Sequence, residues 1–349
     1  MGEVSTIGVD IAKSVFQIHG VDADGTVVIR KRVGRAKVLE FFAKLPPCLV
    51  GMEACATAHQ WARELKKLGH DTRLMPPTYV KAYVKRGKND AADAAAICEG
   101  VTRPSMRFVP IKSVEQQSAL MLHRTRDLLI RQRTQLINAL RAHLAELGLV
   151  AAKGHEGLQQ LVKVVTESSD ERLPSDAGFA CQSIVGQLHA VQTQINGLDK
   201  RVNLAHRANA DSKRLEAIPG FGVILSTAVV ATMTDPKAFR TGREFAAWIG
   251  LVPRQNSTGG KERLGSISKQ GDRYLRRLLV LGAISIIGTA RVRPDKYPWV
   301  TELLGRRPAK VVAVALANKM ARTAWVVLAR GATYRAPTRS SNAAIAAAA

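Results

Sequence analysis

The sequence, 349 residues long, predicts an α/β domain with a mixed sheet, then a helical region, then a second, mainly α unit. Three observations predict this. Short strand-like segments separated by turns open the chain and give way to alternating helix and strand patterns. Long stretches of three- and four-residue apolar spacing occupy the middle, and glycine-rich loops between helical runs occupy the last third. The length suits two domains at about 100 to 200 residues each. Low aromatic content, 5%, with abundant alanine, favours helices.

Val4 to Asp10, Val15 to Val21 and Thr26 to Arg32 read as three strands of a meander, separated by the turn-rich pieces Ile11 to Ser14 and Asp22 to Gly25. Ala36 to Ala43 reads as helix, Cys48 to Met52 as an apolar strand, Thr57 to Leu68 as helix and Thr72 to Met75 as strand. Three antiparallel strands followed by alternating α and β elements are the order of an RNase H-like domain. From Ile111 to Leu149, Leu120, Leu128, Leu136, Leu140, Leu144 and Leu147 mark one helix, with Arg124, Arg126, Arg131, Arg133 and Arg141 between them. Gly157 to Arg207 is again helical in pattern and pairs with it as a coiled-coil hairpin. Domain boundaries follow at 1–110, 111–210 and 211–331, with 332–349, built from Ala, Ser, Thr, Arg and Pro, predicted to be disordered.

Lys and Arg outnumber Asp and Glu by 52 to 28, a net charge of +24 spread along the whole chain. That excess is several-fold beyond what solubility needs and attracts polyanions, nucleic acid first, because neutralised phosphates release counterions. Cys48, Cys55, Cys98 and Cys181 form no C-x-x-C pair, which argues against a zinc knuckle or disulfide framework and for reduced thiols. Met1 to Ile7 has no leader pattern, and the apolar runs Leu278 to Ile287 and Val311 to Leu316 are too short to span a bilayer. A soluble, cytoplasmic protein with no membrane partner is expected.

Metal-assisted phosphoryl transfer needs several carboxylates at one point, because hard Mg²⁺ or Mn²⁺ ions are held by oxygens. Asp10 ends the first strand in Gly8-Val9-Asp10, and Glu53 follows the apolar strand in Gly51-Met52-Glu53. Asp90 and Asp93, in Asn89-Asp90-Ala91-Ala92-Asp93, share one face of an alanine-rich helix. Singly, each acid has a plain alternative: Asp90 as a helix cap, Asp10 as a turn residue, Glu53 as a solvated acid at a helix start. Together they favour a site over those alternatives. Lys85, Arg86 and Lys88 sit beside it in sequence, as does Lys13, and are candidates to hold the substrate backbone.

Ile218-Pro219-Gly220-Phe221-Gly222, between helical runs at Asp211 to Ala217 and Ser226 to Ala231, is a helix-hairpin-helix pattern; Gly220 and Gly222 let backbone N–H groups approach phosphate. Between Arg254 and Arg277 seven Lys or Arg accompany two acids, with Arg254, Lys261, Arg263, Lys269 and Arg273 the candidate phosphate contacts. Small hydroxyl residues there, Ser257, Thr258, Ser266 and Ser268, either bond phosphate oxygens or supply a nucleophile.

As a set, Gly8-Val9-Asp10-Ile11-Ala12-Lys13, Met52-Glu53-Ala54, Asn89-Asp90-Ala91-Ala92-Asp93-Ala94, Ile218-Pro219-Gly220-Phe221-Gly222 and Gly250-Leu251-Val252-Pro253-Arg254 through Ser268-Lys269-Gln270-Gly271-Asp272 resemble the DEDD transposases of the insertion-sequence 110 and 1111 family. The resemblance covers nearly the whole chain, in order. It implies a RuvC-like catalytic domain, a coiled-coil connection and a carboxy-terminal transposase domain with a serine nucleophile. It also implies Mg²⁺ at Asp10, Glu53, Asp90 and Asp93 and a transient phosphoserine link to DNA. A structured non-coding guide RNA and dimers or tetramers with composite active sites are further implications. Many relatives carry Ser directly before the Gly where this chain has Thr258, so Ser257 is taken as the nucleophile, with Ser266 and Ser268 as fallbacks.

Three functions compete. An RNA-guided recombinase cutting element ends and target leaves a covalent protein–DNA intermediate. A structure-selective endonuclease of the Holliday-junction resolvase type activates water and leaves free ends. A non-catalytic nucleic-acid-binding protein binds DNA without metal, and the intact set of four acids argues against it.

Overall fold

The computed structural model describes residues 3–84, 89–167 and 171–336. Two compact units divide it, Met1–Val114 and Glu115–Ala349.

In the first unit, β1 (Thr6–Asp10), β2 (Val15–Val21) and β3 (Val27–Gly34) form the antiparallel meander, α1 (Val38–Ala43) follows, and β4 (Leu49–Glu53), α2 (Ala58–Lys67) and β5 (Asp71–Met75) continue the sheet. Strand order is β3-β2-β1-β4-β5, with β1 parallel to β4 and β4 parallel to β5. Alternation along each strand sorts the faces. Ile7, Val9, Val50 and Met52 join Phe42 of α1 and Trp61 and Leu65 of α2 in one buried cluster. The short helix α3 (Pro77–Val80) leads towards α4 (Asp90–Val101), which lies on the opposite face.

That face is flat because of two glycines. Gly8 of β1 pairs with Gly51 of β4. A Cβ on Gly8 would stand 2.2 Å from the Ala94 carbonyl oxygen, and one on Gly51 would stand 2.7 Å from Cβ of Val101. Only bare backbone admits the helix so closely. Ala94 and Cys98 supply the complementary small surface on α4, both buried, and the Cys98 thiol donates to the Thr6 carbonyl.

The second unit is mainly helical. α5 (Val114–Glu146), α6 (His155–Glu167) and α7 (Ser175–Ala208) replace the predicted pair of long helices by three. The expected continuous helix from 157 to 207 is interrupted: Leu173-Pro174 precedes α7, and proline cannot lie within a helix without removing a hydrogen bond. α5 and α7 run antiparallel, since Arg126 meets Asp199 while Arg133 reaches Gln192. Buried α7 positions Cys181, Val185, Leu188, Val191, Ile195, Val202 and His206 keep the three-and-four spacing. Leu128, expected on the seam of α5, is instead exposed, and Leu129 is buried against Val191 and Ile195.

α8 (Ala210–Glu216), α9 (Val223–Thr232), α10 (Gly242–Ile249), the hairpin β6 (Pro253–Gln255) with β7 (Leu264–Ile267), α11 (Arg273–Val292), α12 (Pro298–Arg306) and α13 (Ala309–Arg330) complete the chain. Val312, Leu316, Met320, Ala324 and Val327 of α13 are buried in one core with Leu275, Leu279, Ile286 and Ile287 of α11. The run Val311 to Leu316 therefore belongs to a 22-residue helix that is long and apolar enough to cross a membrane by length and composition. Val312, Ala313 and Leu316 of that run are buried in this core, and Val311 is exposed. Of the tail, Ala332 to Ala336 are described and Tyr334 packs on the same core; the remainder lies outside the described residues.

Candidate functional site

Each acid reaches its place through backbone. Residues two apart on a strand share a face, so Asp10 and Glu53 project on the face that Gly8 and Gly51 open to α4. Asp10 is the last residue of β1 and Glu53 the last of β4, and the adjoining pair Val9 and Met52 are in register. Asn89, not Asp90, caps α4: its side chain accepts from the Ala92 N–H at 2.7 Å. Asp90 and Asp93 are thus left free in the first turn, where the helix dipole favours negative charge.

One carboxylate oxygen each from Asp10, Asp90 and Asp93 lies within 4.8 Å of the others. Burial pushes the Asp10 carboxyl up to about 6, with the charges of Asp93, Asp90 and Glu53 adding to it. Glu53 is raised by burial and by Asp93, and lowered in part by Lys81. Clustered hard oxygen donors whose mutual repulsion is relieved by a cation fit a divalent ion of the Mg²⁺ type. The plain alternatives for the acids do not describe their positions: Asp10 and Glu53 end strands, and the cap belongs to Asn89.

The paired glycines, Lys81 and Thr57 were missed in the sequence. Gly-x-acid occurs at both strand ends, and a glycine inside a strand already signals close backbone approach. Thr57, in the loop after Glu53, holds φ +71°, a left-handed backbone costly for a β-branched residue. Lys13 is exposed in the turn after Asp10. Lys85, Arg86 and Lys88 lie outside the described residues.

In the second unit, Ser257, Arg254, Lys261, Arg263, Lys269 and Arg273 are all exposed, and none of these five cations has a carboxylate partner among the described residues. Thr258 and Lys261 close a turn in which Gly259 and Gly260 hold φ +56° and +76°, as a tight two-residue hairpin turn requires. Ser257 Oγ accepts from the Arg263 N–H at 3.1 Å and from Gln255 Nε2 at 3.2 Å. Two donors aimed at a hydroxyl oxygen stabilise the charge it gains on losing its proton. Ser266 is also exposed, whereas Ser268 Oγ is shielded and unpartnered, which leaves that fallback without access to a phosphodiester.

The loop carrying these groups is anchored by interlocked glycines. A Cβ on Gly250 would meet the Gln270 carbonyl oxygen at 2.1 Å, and one on Gly271 the Trp248 carbonyl oxygen at 1.9 Å. Both have positive φ, so two chain segments cross where no side chain fits.

In the expected helix-hairpin-helix segment Gly220 holds φ +81° and its Cβ would meet the Gly282 carbonyl oxygen at 2.7 Å, so both the turn and the packing call for glycine there; Gly222, preceding α9, is exposed. Several arginines of α5 are engaged within the unit. Arg126 pairs with Asp199, Arg133 with Gln192, and Arg141 donates to the Ala151 carbonyl, leaving Arg124 and Arg131 exposed.

A Ser-His-Glu arrangement is also present, with His206 Nδ1 2.8 Å from Ser212 Oγ and Nε2 3.0 Å from Glu216. Ser212 is fully buried, so these groups stitch the α7–α8 corner and reach no substrate.

Comparison with known proteins defines the class of the molecule as transposase. Residues 7–148 match the DEDD transposase family of IS110, and residues 212–297 the family described as Transposase IS116/IS110/IS902. A probable family 20 transposase of Pseudomonas aeruginosa is 49% identical over 95% of this chain and 99% of its own length. The transposase for insertion sequence element IS1111A of Coxiella burnetii is 39% identical, over 96% and 92% respectively, and that for IS1328 of Yersinia enterocolitica 38%, over 96% and 99%. The chain belongs to the IS110/IS116/IS902 family of insertion-sequence transposases. Such a family acts on DNA as a cutting and rejoining enzyme, and its DEDD domain implies a divalent metal ion.

Proposed function

We propose that this transposase performs RNA-guided, site-specific DNA strand exchange through four metal-holding carboxylates and a serine nucleophile. The convergence of Asp10, Asp90 and Asp93 at the end of one strand and the first turn of one helix carries the reading. The strand order and the helix on the glycine face support an RNase H-like, RuvC-like domain over 1–110, joined by a coiled-coil connection over 111–210 to a transposase domain over 211–331.

Asp10, Glu53, Asp90 and Asp93 hold Mg²⁺, or Mn²⁺ in its place. Bound there, the ion supplies Lewis-acid stabilisation of charge on the phosphate being exchanged. Ser257 Oγ gives up its proton and bonds phosphorus; the deoxyribose oxygen leaves and takes up a proton, and the reverse step joins a new strand. The N–H groups of Arg263 and Gln255 hold the serine oxygen during the attack. Arg254, Lys261, Arg263, Lys269 and Arg273 grip the backbone, as do Lys13, Lys85, Arg86 and Lys88 beside the acids and the N–H groups around Gly222. Element ends, target DNA and a structured guide RNA are the partners, and a dimer or tetramer working in the cytoplasm is the active form.

The test incubates purified protein, Mg²⁺, RNA transcribed from the element's flank and donor and target duplexes, then looks for a covalent adduct on denaturing gels. An RNA-dependent adduct lost in Asp10→Ala and Ser257→Ala is expected. Metal-dependent nicking that survives Ser257→Ala without an adduct would replace this mechanism with a hydrolytic, resolvase-type one.

A further inference from the structure

A cavity of about 550 Å³ opens in the second unit between α12, α13 and the segment 332–336. Tyr297, Trp299 and Tyr334 line it, with Met320 and Leu316 at its back. Lys296, Lys319 and Arg335 stand among the same lining residues against a single acid, Asp295. None of these three cations has a carboxylate partner among the described residues. Aromatic walls with unpaired cations are the surface on which single-stranded nucleic acid stacks its bases and rests its phosphates, and the volume is that of a small-ligand site.

We propose that this cavity captures one unstacked nucleobase of a single-stranded segment, stacked on the aromatic side chains, with Lys319 donating to the base carbonyl or its phosphate. Lys319 is the group to follow. Its ammonium lies 4.5 Å from the centre of the Trp299 ring. Burial and neighbouring Arg322 lower its affinity for a proton, the state of a cation partly stripped of water and still lacking an anion. A phosphate or carbonyl oxygen completes it. The walls are set by structure that does not depend on the ligand: Val300 at the first turn of α12 is buried, and Tyr334 packs on the helical core.

A peptide presents negative charge only where its sequence carries acids and has few flat rings to stack, whereas a strand crossing this face supplies one phosphate and one stacking base per nucleotide. Ribose and deoxyribose strands share the chemistry, so both are tested. The inference rests on the reading of this protein as a nucleic-acid enzyme, but not on its metal site or its serine.

The experiment uses the full chain with single-stranded ribo- and deoxyribo-oligonucleotides carrying one 2-aminopurine, and a duplex of the same sequence. Stacking in the cavity quenches the fluorescent base, and the ribo or deoxyribo arm with the larger quench identifies the strand. Lys319→Gln and Tyr334→Leu are expected to weaken single-strand binding about tenfold and to remove the quench, with duplex binding and the Mg²⁺-dependent adduct assay within about twofold of the parent. Thermal unfolding of both variants confirms the fold, and Lys319→Arg restores binding. Equal losses for single strand and duplex, or an unchanged quench in a folded Lys319→Gln, would overturn the proposal while leaving the catalytic reading intact. Loss of the adduct in Asp10→Ala alone bears on the catalytic reading and not on this cavity.

Discussion

The acid cluster and the serine hairpin are built in opposite ways. Asp10 and the Asp90–Asp93 pair come from two distant segments and meet because a helix lies on two facing glycines, with Glu53 at the neighbouring strand end and close enough to feel the charge of Asp93. Ser257 and the cations around it come from one short hairpin and the loop after it, exposed but for the stretch around Ile267, whose shape is set by a glycine turn and a backbone crossing. The first site is therefore tied to the core of its unit, and damage to that core damages the site. The second depends on local backbone conformation and is separable from the stability of the helices behind it.

Chemistry breaks the contrast most severely. Asp10→Ala and Ser257→Ala should each lower strand exchange by about a thousandfold, several kcal/mol of barrier. Only Asp10→Ala should abolish the rise in melting temperature produced by Mg²⁺ or Mn²⁺, as differential scanning fluorimetry would show. Equal loss of that rise in both variants would erase the distinction.

Stability comes next. Gly8→Ala should cost about 1–3 kcal/mol by forcing α4 off the sheet, and should weaken metal binding with it. Gly259→Ala, at a positive φ but in open space, should cost about 1 kcal/mol and leave metal binding unchanged. Chemical denaturation with and without Mn²⁺ measures both.

Proton linkage sharpens the contrast further. The Asp10 carboxyl is raised to about 6, so its protonated form is favoured in the folded state. That contribution to apo stability is complete below pH of about 4 and is lost as pH rises through about 6. Metal binding requires the ionised acid, so the stabilisation by Mn²⁺ should grow over the same interval. Asp10→Asn should flatten the apo profile, whereas Ser257→Ala should reproduce the parent curve. The smallest effect is at Thr57, where Thr57→Gly removes a left-handed penalty and should stabilise the first unit by up to about 1 kcal/mol.

Much of this was legible. The meander, its following strands and the long helix follow from periodicity because those segments are bounded by strong turns or carry sustained apolar spacing. Asp10 and Glu53 were legible as strand-end acids, and Asp90 and Asp93 as one helix face. What periodicity does not carry is which side chains are already spent. The periodicity places Arg126, Arg133 and Arg141 on the long helix, but does not show that the antiparallel partner and the α5–α6 loop supply their acceptors. Gly220 is legible as a tight-turn glycine, but the Gly282 backbone packed behind it is not. Leu128 and Leu129 exchange places because a long helix packed against two others does not keep one unchanging seam. The break before α7 is written in Pro174, whose weight the helical pattern on either side concealed.

The glycine pair has one more consequence, for cooperativity. A helix seated on bare backbone meets it through small residues, Ala94 and Cys98, while its amino-terminal turn carries two of the mutually repelling acids. Without a cation, repulsion among these acids should loosen the first turn of α4, so that its amides exchange with solvent ahead of those of β1 and β4. A divalent ion then acts as a latch on local unfolding, slowing exchange along a helix most of whose residues it never touches.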